Sequence, residues 1–409
     1  MNKLRLLTIP DWVGIDKNHP FSDLVDVEYV DNPTLTGKFF IWFKHIGDPA
    51  DHPTNKIYNG TVLDMIPEKW IPSINAGNVT VIVDTAEESW GPIYKDTINH
   101  VDSENIHYLL EKNAIRLGII PKRILWLTGD MNAQEYCKDA SHVCVKSVCQ
   151  FLFSFSNLVN KNDYEQVTHK PNKFLICPNR FPKAHRGYTV AKLSDIESPT
   201  APMRISFPKS MEYWPDNTII DSYYKLYDRY KKWPGYFDVG NRINWEELLH
   251  KIEALYEMLP RKIDDIDFNT NTCAEPDAIS SIHEHYHMSA FCLVTETWAE
   301  GRKLFISDAI LAPMLNKTPF IVIGNKATLK FLKSKGFLTF DSIIDESYDD
   351  VHDDVLRWDT ALEQVRLLSC RDWAAERKRV EDIVQHNFNH MFAIAAQEEQ
   401  SLFDWLQST

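Results

Sequence analysis

VTETWAEGRKLFISDAILAPMLNKTPFIV, residues 294–322, reads as strand, helix, strand. The apolar run AFCLVTE (290–296) enters the stretch and PFIVIG (319–324) leaves it. Both are short, β-branched or aromatic, and apolar at consecutive positions, as suits strands buried on two faces. Between them SDAILAPML reads as a helix, with Ser307 or Asp308 placed to cap its start. Parallel strands covered by helices imply an α/β protein.

The same alternation recurs outward from that stretch. LRLLTI (4–9), KFFIWF (38–43), VTVIVD (79–84) and RILWLTG (123–129) are strand candidates in the first part of the chain, and KFLIC (173–177) opens the second. SENIHYLLEKNAIRLG (103–118) carries Ile106, Leu109, Leu110 and Ala114 at helical spacing, with Gly118 as its stop. INWEELLHKIEALYEML (243–259) repeats the pattern behind Asn244 as cap. Two sets of alternation predict two doubly wound domains. The polar segment 157–173 is the expected linker, giving domains at 1–165 and 166–380. The remaining 381–409 is expected as a C-terminal helix that packs back across them, within a helical tract that begins near Trp373.

Of the 409 residues, 44% are hydrophobic and 25% charged, the balance of a globular protein rather than a disordered one. No apolar run approaches the ~18–20 residues of a membrane span, and Pro10 and Asp11 break the short N-terminal run, so no membrane association and a cytoplasmic location are expected. The seven cysteines are scattered without a CxxC pair, and read as reduced core thiols. A net charge of −14 argues against a surface that coats itself on nucleic acid. The acidic runs 264–268 and 345–354 read as solvated loops.

Four constellations could carry chemistry. CPNRFPKAHRGY (177–188) places Arg180, Lys183, His185 and Arg186 just beyond a strand, where open α/β sheets bind ligands, and cations there suit phosphate. Glu296 ends another strand, and a carboxylate there can accept two hydrogen bonds from a ribose diol. The helix start at Ser307 and Asp308 offers unpaired backbone N–H groups to a diphosphate. In the first part, VIVDTAEESWG offers Asp84, Glu87 and Glu88 as general-base candidates, and WLTGDMN offers Asp130 and Asn132 to a polar substrate. HEHYH (283–287) would put three histidines on one face of a strand, but its spacing fits no common zinc pattern, and no metal is expected. P-loop, GxGxxG, GxSxG and HExxH motifs are absent.

NRFPKAHR, LVTETW, TPFIVIGN, LKFLKSKGFLTFDSIIDESYDD and the late pair His386–Asn387 resemble, in order, a group of glycosyltransferase-like proteins of bacteriophages and large viruses. The resemblance implies a GT-B architecture: two Rossmann-like domains facing a cleft, the C-terminal one holding a sugar nucleotide. Asn179, Arg180, His185 and Arg186 match the group's NRxxRxHR, with Lys183 where the group usually has Arg. Glu296 matches the acid of its VTET. The EKTxKP element departs, with Asp308 for Glu, and Ala309 and Ala312 where the group carries lysines. Arg302 and Lys303 are the cations that could replace them.

The implied activity is transfer of a sugar from a nucleoside-diphosphate sugar to a hydroxyl, without a metal or other cofactor. Arg180, Lys183 and Arg186 would hold the diphosphate and Glu296 the ribose, while Asp84, Glu87 or Glu88 would take the acceptor's proton. A hydroxymethylated pyrimidine in phage DNA is one candidate acceptor, with glucose or a pentose such as arabinose as the sugar, and Trp90 or Trp126 stacking on the base. A polysaccharide or protein hydroxyl are the others. The lost lysines favour a different class, a catalytically idle relative that binds a sugar or nucleotide.

Overall fold

The structure is a computed structural model, and it describes residues 2–8, 25–31, 33, 38–44, 61–86, 106–138, 142–149, 159–165, 169–179, 183–208, 218–232, 244–259, 283–301 and 303–408. Glu87, Glu88, Trp90, Arg180 and Arg302 lie outside the described residues. The chain divides into two compact units: 1–154 with 302–305 and 395–409, and 155–301 with 306–394.

The first unit carries a six-stranded parallel sheet in the order β2-β1-β3-β4-β5-β6. Its strands are β1 (Asn2–Leu7), β2 (Val25–Val30), β3 (Phe39–Lys44), β4 (Val79–Thr85), β5 (Ile124–Thr128) and β6 (Cys144–Ser147). Alternation along the strands builds two cores, because successive side chains leave opposite faces. Phe39, Ile41, Val81 and Trp126 pack on one face with Ile74 of α1 (Ile71–Ala76) and with Leu110 and Ala114 of α2 (Ile106–Arg116). Phe40, Trp42, Ile82 and Leu125 pack on the other, against Leu402, Phe403 and Leu406 near the C-terminus. A short helix, α3 (Ala133–Cys137), follows β5. Gly118 stops α2 as expected, with φ +74 and Ile119 N–H donating back to Ala114 O at 2.8 Å.

The second unit carries a four-stranded parallel sheet, β10-β9-β7-β8. Its strands are β7 (Lys173–Cys177), β8 (Met203–Ile205), β9 (Ser289–Thr295) and β10 (Phe320–Ile323). Its helices are α4 (Asn162–Glu165), α5 (Ala184–Leu193), α6 (Ile219–Lys232), α7 (Trp245–Glu257), α8 (Asp308–Leu315), α9 (Thr328–Ser334), α10 (Asp354–Ser369), α11 (Trp373–Arg379) and α12 (Glu381–Ser408), the last of which ends in the first unit. The caps read from sequence form: Asn244 accepts from Glu247 N–H ahead of α7, and Ser307 accepts from Ala309 N–H ahead of α8. Gly187 lets α5 meet α6 closely, since a Cβ there would stand 2.9 Å from Ile219 Cγ1. Two parallel sheets with many helices are compatible with a two-domain Rossmann-like α/β fold.

Some expectations need correction. Residues 283–287 are helical, so His283 and His287 share a face at i, i+4 while His285 turns away toward Arg204 on β8. Trp126 is fully buried with its indole N–H on Thr85 Oγ1 at 2.9 Å, and offers no face for stacking on a base. The acidic run 345–354 is not simply a solvated loop. Asp345 accepts from Ser347 N–H, Asp349 from the Leu329 and Lys330 amides of α9, and Asp353 from Leu356 N–H of α10. Among the described cysteines Cys144 is half-buried and Cys370 exposed rather than core.

Among the described residues no helix is long and apolar enough to cross a membrane.

Candidate functional site

In the second unit the chain runs from β7 outward to β8 on one side, then returns to place β9 and β10 on the other. The carboxyl ends of β7 and β9 therefore flank a topological switch point, the crevice where open α/β sheets bind ligands. Side chains from three strand ends are tied together there. Asn179, 1% exposed, joins them: its N–H donates to Ser206 Oγ after β8 at 3.0 Å, and its Oδ1 accepts from Thr295 Oγ1 at the end of β9 at 2.7 Å.

The cations beyond β7 turn toward β9. Lys183, half-buried, donates from Nζ to Thr297 O at 2.8 Å and lies 4.6 Å from the centre of the Trp298 ring. His185 bonds through Nε2 to Glu296 O at 2.8 Å, which requires the Nε2–H tautomer. Arg186 donates from Nη2 to Thr295 O at 3.1 Å, while its Nε is buried without a hydrogen-bond partner. Burial pulls the Arg186 pKa down, opposed by Glu296 and then Asp308. An arginine retains its charge against such shifts, so a buried positive charge sits beneath the crevice.

Glu296 is fully buried. Its carboxylate accepts from Ser307 N–H (3.3 and 3.2 Å to its two oxygens), from Ser307 Oγ and from Thr297 N–H (3.1 Å). Burial pushes its pKa up to about 7, against the lowering effect of those donors. The carboxylate therefore fixes the residue that caps α8. Gly324 makes room for it: a Cβ there would stand 3.4 Å from Glu296 Cγ and 3.0 Å from Thr328 Oγ1. Asp308 is exposed on the first turn of α8, and Ala309 and Ala312 are both half-buried, leaving their part of the helix without charge.

Sequence reasoning missed a second layer. Arg357 of α10, 2% exposed, pairs with Asp354 at 2.5 Å and donates to Gly324 O (3.0 Å), Val351 O (2.9 Å) and Ala299 O (2.8 Å). Trp358 adds its indole N–H to Ala299 O at 3.2 Å. One guanidinium thus binds the loops after β9 and β10. Asn325, 1% exposed, donates to Glu300 O at 3.1 Å while its Oδ1 stays buried without a partner. A lone Arg inside an amphipathic helix carries no local signal of such a role.

The late pair His386–Asn387 is structural here. Asn387 accepts from Leu338 N–H and donates to Leu338 O, both at 2.8 Å, and His386 and His390 reach Gly336 O and Lys335 O. Together they hold the turn after α9, where Gly336 (φ +88) leaves space for the His390 ring.

In the first unit Asp84 is buried at the end of β4, accepting from Trp42 Nε1 at 3.1 Å and Ala86 N–H at 3.0 Å. Asp130, also buried, accepts from Asn132 N–H and Leu304 N–H, each at 3.0 Å, and Met131 N–H donates to Leu304 O. Lys303 is assigned to the first unit. The first sheet reverses its order between β1 and β3; Asp84 stands near the end of the next strand, β4, and Asp130 just after β5.

The described residues hold no group of three or more His, Cys, Asp or Glu side chains arranged to take a metal ion. No protein-family model matches the chain, and no curated protein matches it either.

Proposed function

We propose that the protein is a glycosyltransferase of GT-B type, moving a sugar from a nucleoside-diphosphate sugar to a hydroxyl acceptor. The observation that carries this reading is the convergence of Lys183, His185, Arg186, Glu296 and Ser307 at the β7/β9 switch point, beside the N-terminus of α8. In this reading the acceptor oxygen forms a bond to the anomeric carbon as the bond to the diphosphate breaks. Lys183, with Arg180 three positions before it in the sequence, meets the leaving diphosphate, and buried Arg186 adds a fixed positive field beneath it. Glu296 orients Ser307 and the α8 N–H groups toward the nucleotide, and its service to the ribose runs through that arrangement.

Because Asp84 already holds the Trp42 indole and the Ala86 amide, the proton acceptor in this reading is Glu87 or Glu88, the acids that come next in the sequence. The acceptor classes remain a hydroxymethylated pyrimidine in phage DNA, a polysaccharide and a protein hydroxyl. A second reading, an idle sugar- or nucleotide-binding relative, is favoured by the uncharged Ala309 and Ala312 on α8.

The test is a panel of UDP-, GDP- and CMP-sugars with and without hydroxymethylcytosine DNA, following nucleotide release and DNA mass. Release that requires the DNA supports the transferase and names its acceptor. Binding without turnover on any acceptor supports the idle relative, and no binding at all removes both readings. Lys183→Ala is expected to weaken nucleotide-sugar binding about 10–100-fold by calorimetry, the range of one charge-assisted hydrogen bond. Unchanged affinity in that variant would take Lys183 out of the donor site.

A further inference from the structure

We propose that His169, His283 and His287 form an acid-sensitive latch, which holds the lead-in to β7 against the helical turn before β9 and releases it when the imidazoles gain protons. The three rings meet at the amino edge of the second unit's sheet, opposite the crevice described above. His283 and His287 stand with ring centres 3.9 Å apart, and His169 lies edge-on to His287 at 5.0 Å. Around them the backbone is stitched by Lys170 N–H to His287 O (3.1 Å) and by Asn172 and Lys173 N–H to Met288 O (both 3.0 Å).

Nothing in this packing is prepared for added positive charge. Both His169 nitrogens and His287 Nε2 are buried without hydrogen-bond partners. His283 alone is engaged, bonding through Nδ1 to Asn316 Oδ1. The neighbours are mostly cations. Arg377 of α11, buried and with its Nε unpartnered, donates to Lys317 O at 3.1 Å. Lys317 itself donates to Glu165 O of α4 at 2.7 Å and lies 4.4 Å from the centre of the Phe388 ring of α12. Lys161 adds a further positive charge near Lys317, and Tyr164 of α4 packs edge-on to His283 with Asp163 beside it. The carboxylates are peripheral: Glu284 acts on His283, Glu165 on Lys317 and Glu381 on Arg377.

Burial, then Arg377 and the neighbouring histidine and lysine, hold His169 down to about 3. Burial, then His283, Arg377 and Lys317, hold His287 down to about 3. Both rings are thus neutral in the folded protein, whereas in an opened segment they take protons near pH 6.5. Acidification below about 6.5 favours the opened form progressively, and the latch is closed above that pH.

Hydrogen exchange on the full chain at pH 7.5 and pH 5, corrected for intrinsic exchange, reads this directly. Amides of 169–173 and 283–288 should lose on the order of tenfold protection at pH 5, and a double His169→Gln, His287→Gln variant should keep it. Equal protection at both pH values in the wild type, or the same loss in the variant, would overturn the proposal. Should the variant fail to fold, histidine C2–H titration of the wild type decides. Two imidazoles still neutral at pH 5 support the latch, and all imidazoles titrating near their ordinary value overturn it. A zinc-induced rise in melting temperature that the variant lacks would also overturn it, since the rings would then be metal ligands.

Discussion

Arg357→Met is expected to destabilise the second unit by about 3–5 kcal/mol, the cost of removing one partner from a buried ion pair. The side chains of Arg357 and Asp354 are each 3% exposed, so the remaining carboxylate has no water to turn to. Gly324 O, Val351 O and Ala299 O would lose their guanidinium donor at the same time. A chain of two units need not unfold in one step, so urea unfolding should be followed by hydrogen exchange of peptides from 289–325. Adding Asp354→Asn removes the stranded charge while keeping an acceptor for Gly301 N–H, and should recover part of the loss. A cost below about 1 kcal/mol for the single variant would mean the guanidinium is not the tie described here.

Glu296→Gln is expected to remove a pH dependence of stability of order 3 kcal/mol, from a pKa of about 7 in the fold against 4.5 in the open chain. Between those values the folded protein holds a proton that the unfolded chain has released. Stability from this group is therefore greatest below about 4.5, falls as pH rises to about 7, and is level above that. His169 and His287 act in the opposite sense below about 6.5, so the informative quantity is the difference between wild type and variant. That difference should slope across pH 4.5–7 and flatten at higher pH. A constant difference would show that Glu296 is ionised throughout. Glu296→Ala should cost more at every pH, since the Ser307 and Thr297 amides would be left buried without their acceptor.

Seven strands were legible because burial on both faces demands apolar residues at consecutive positions, as in the fully buried edge strand β10. β1, β3, β4, β5, β7, β9 and β10 all arise from the runs read in the sequence. β2, β6 and β8 were not read, and each lies at a sheet edge. VDVEYV in β2 alternates with Asp26 and Glu28, and every residue of β6 is half-buried, so neither shows the continuous apolar pattern. HEHYH failed as a strand because a run of only five residues fits a short strand and little more than one turn of helix almost equally well. What decided the matter was the chain's need to enter β9 at Ser289.

The sequence by itself determined the α/β class, the strand ends after which Asn179 and Glu296 fall, the cations Lys183 and Arg186 that follow β7, and the caps at Asn244 and Ser307. Those features follow from local periodicity and from the hydrogen-bonding demand of a helix start. Only the tertiary structure decided the strand order that makes the β7/β9 ends a crevice. It alone turned Glu296 inward onto Ser307, carried Leu304 to Asp130, and used Arg357 to bind two loops from a distant helix. These contacts join residues far apart in sequence, and their energy comes from groups brought together and desolvated only when the chain has folded.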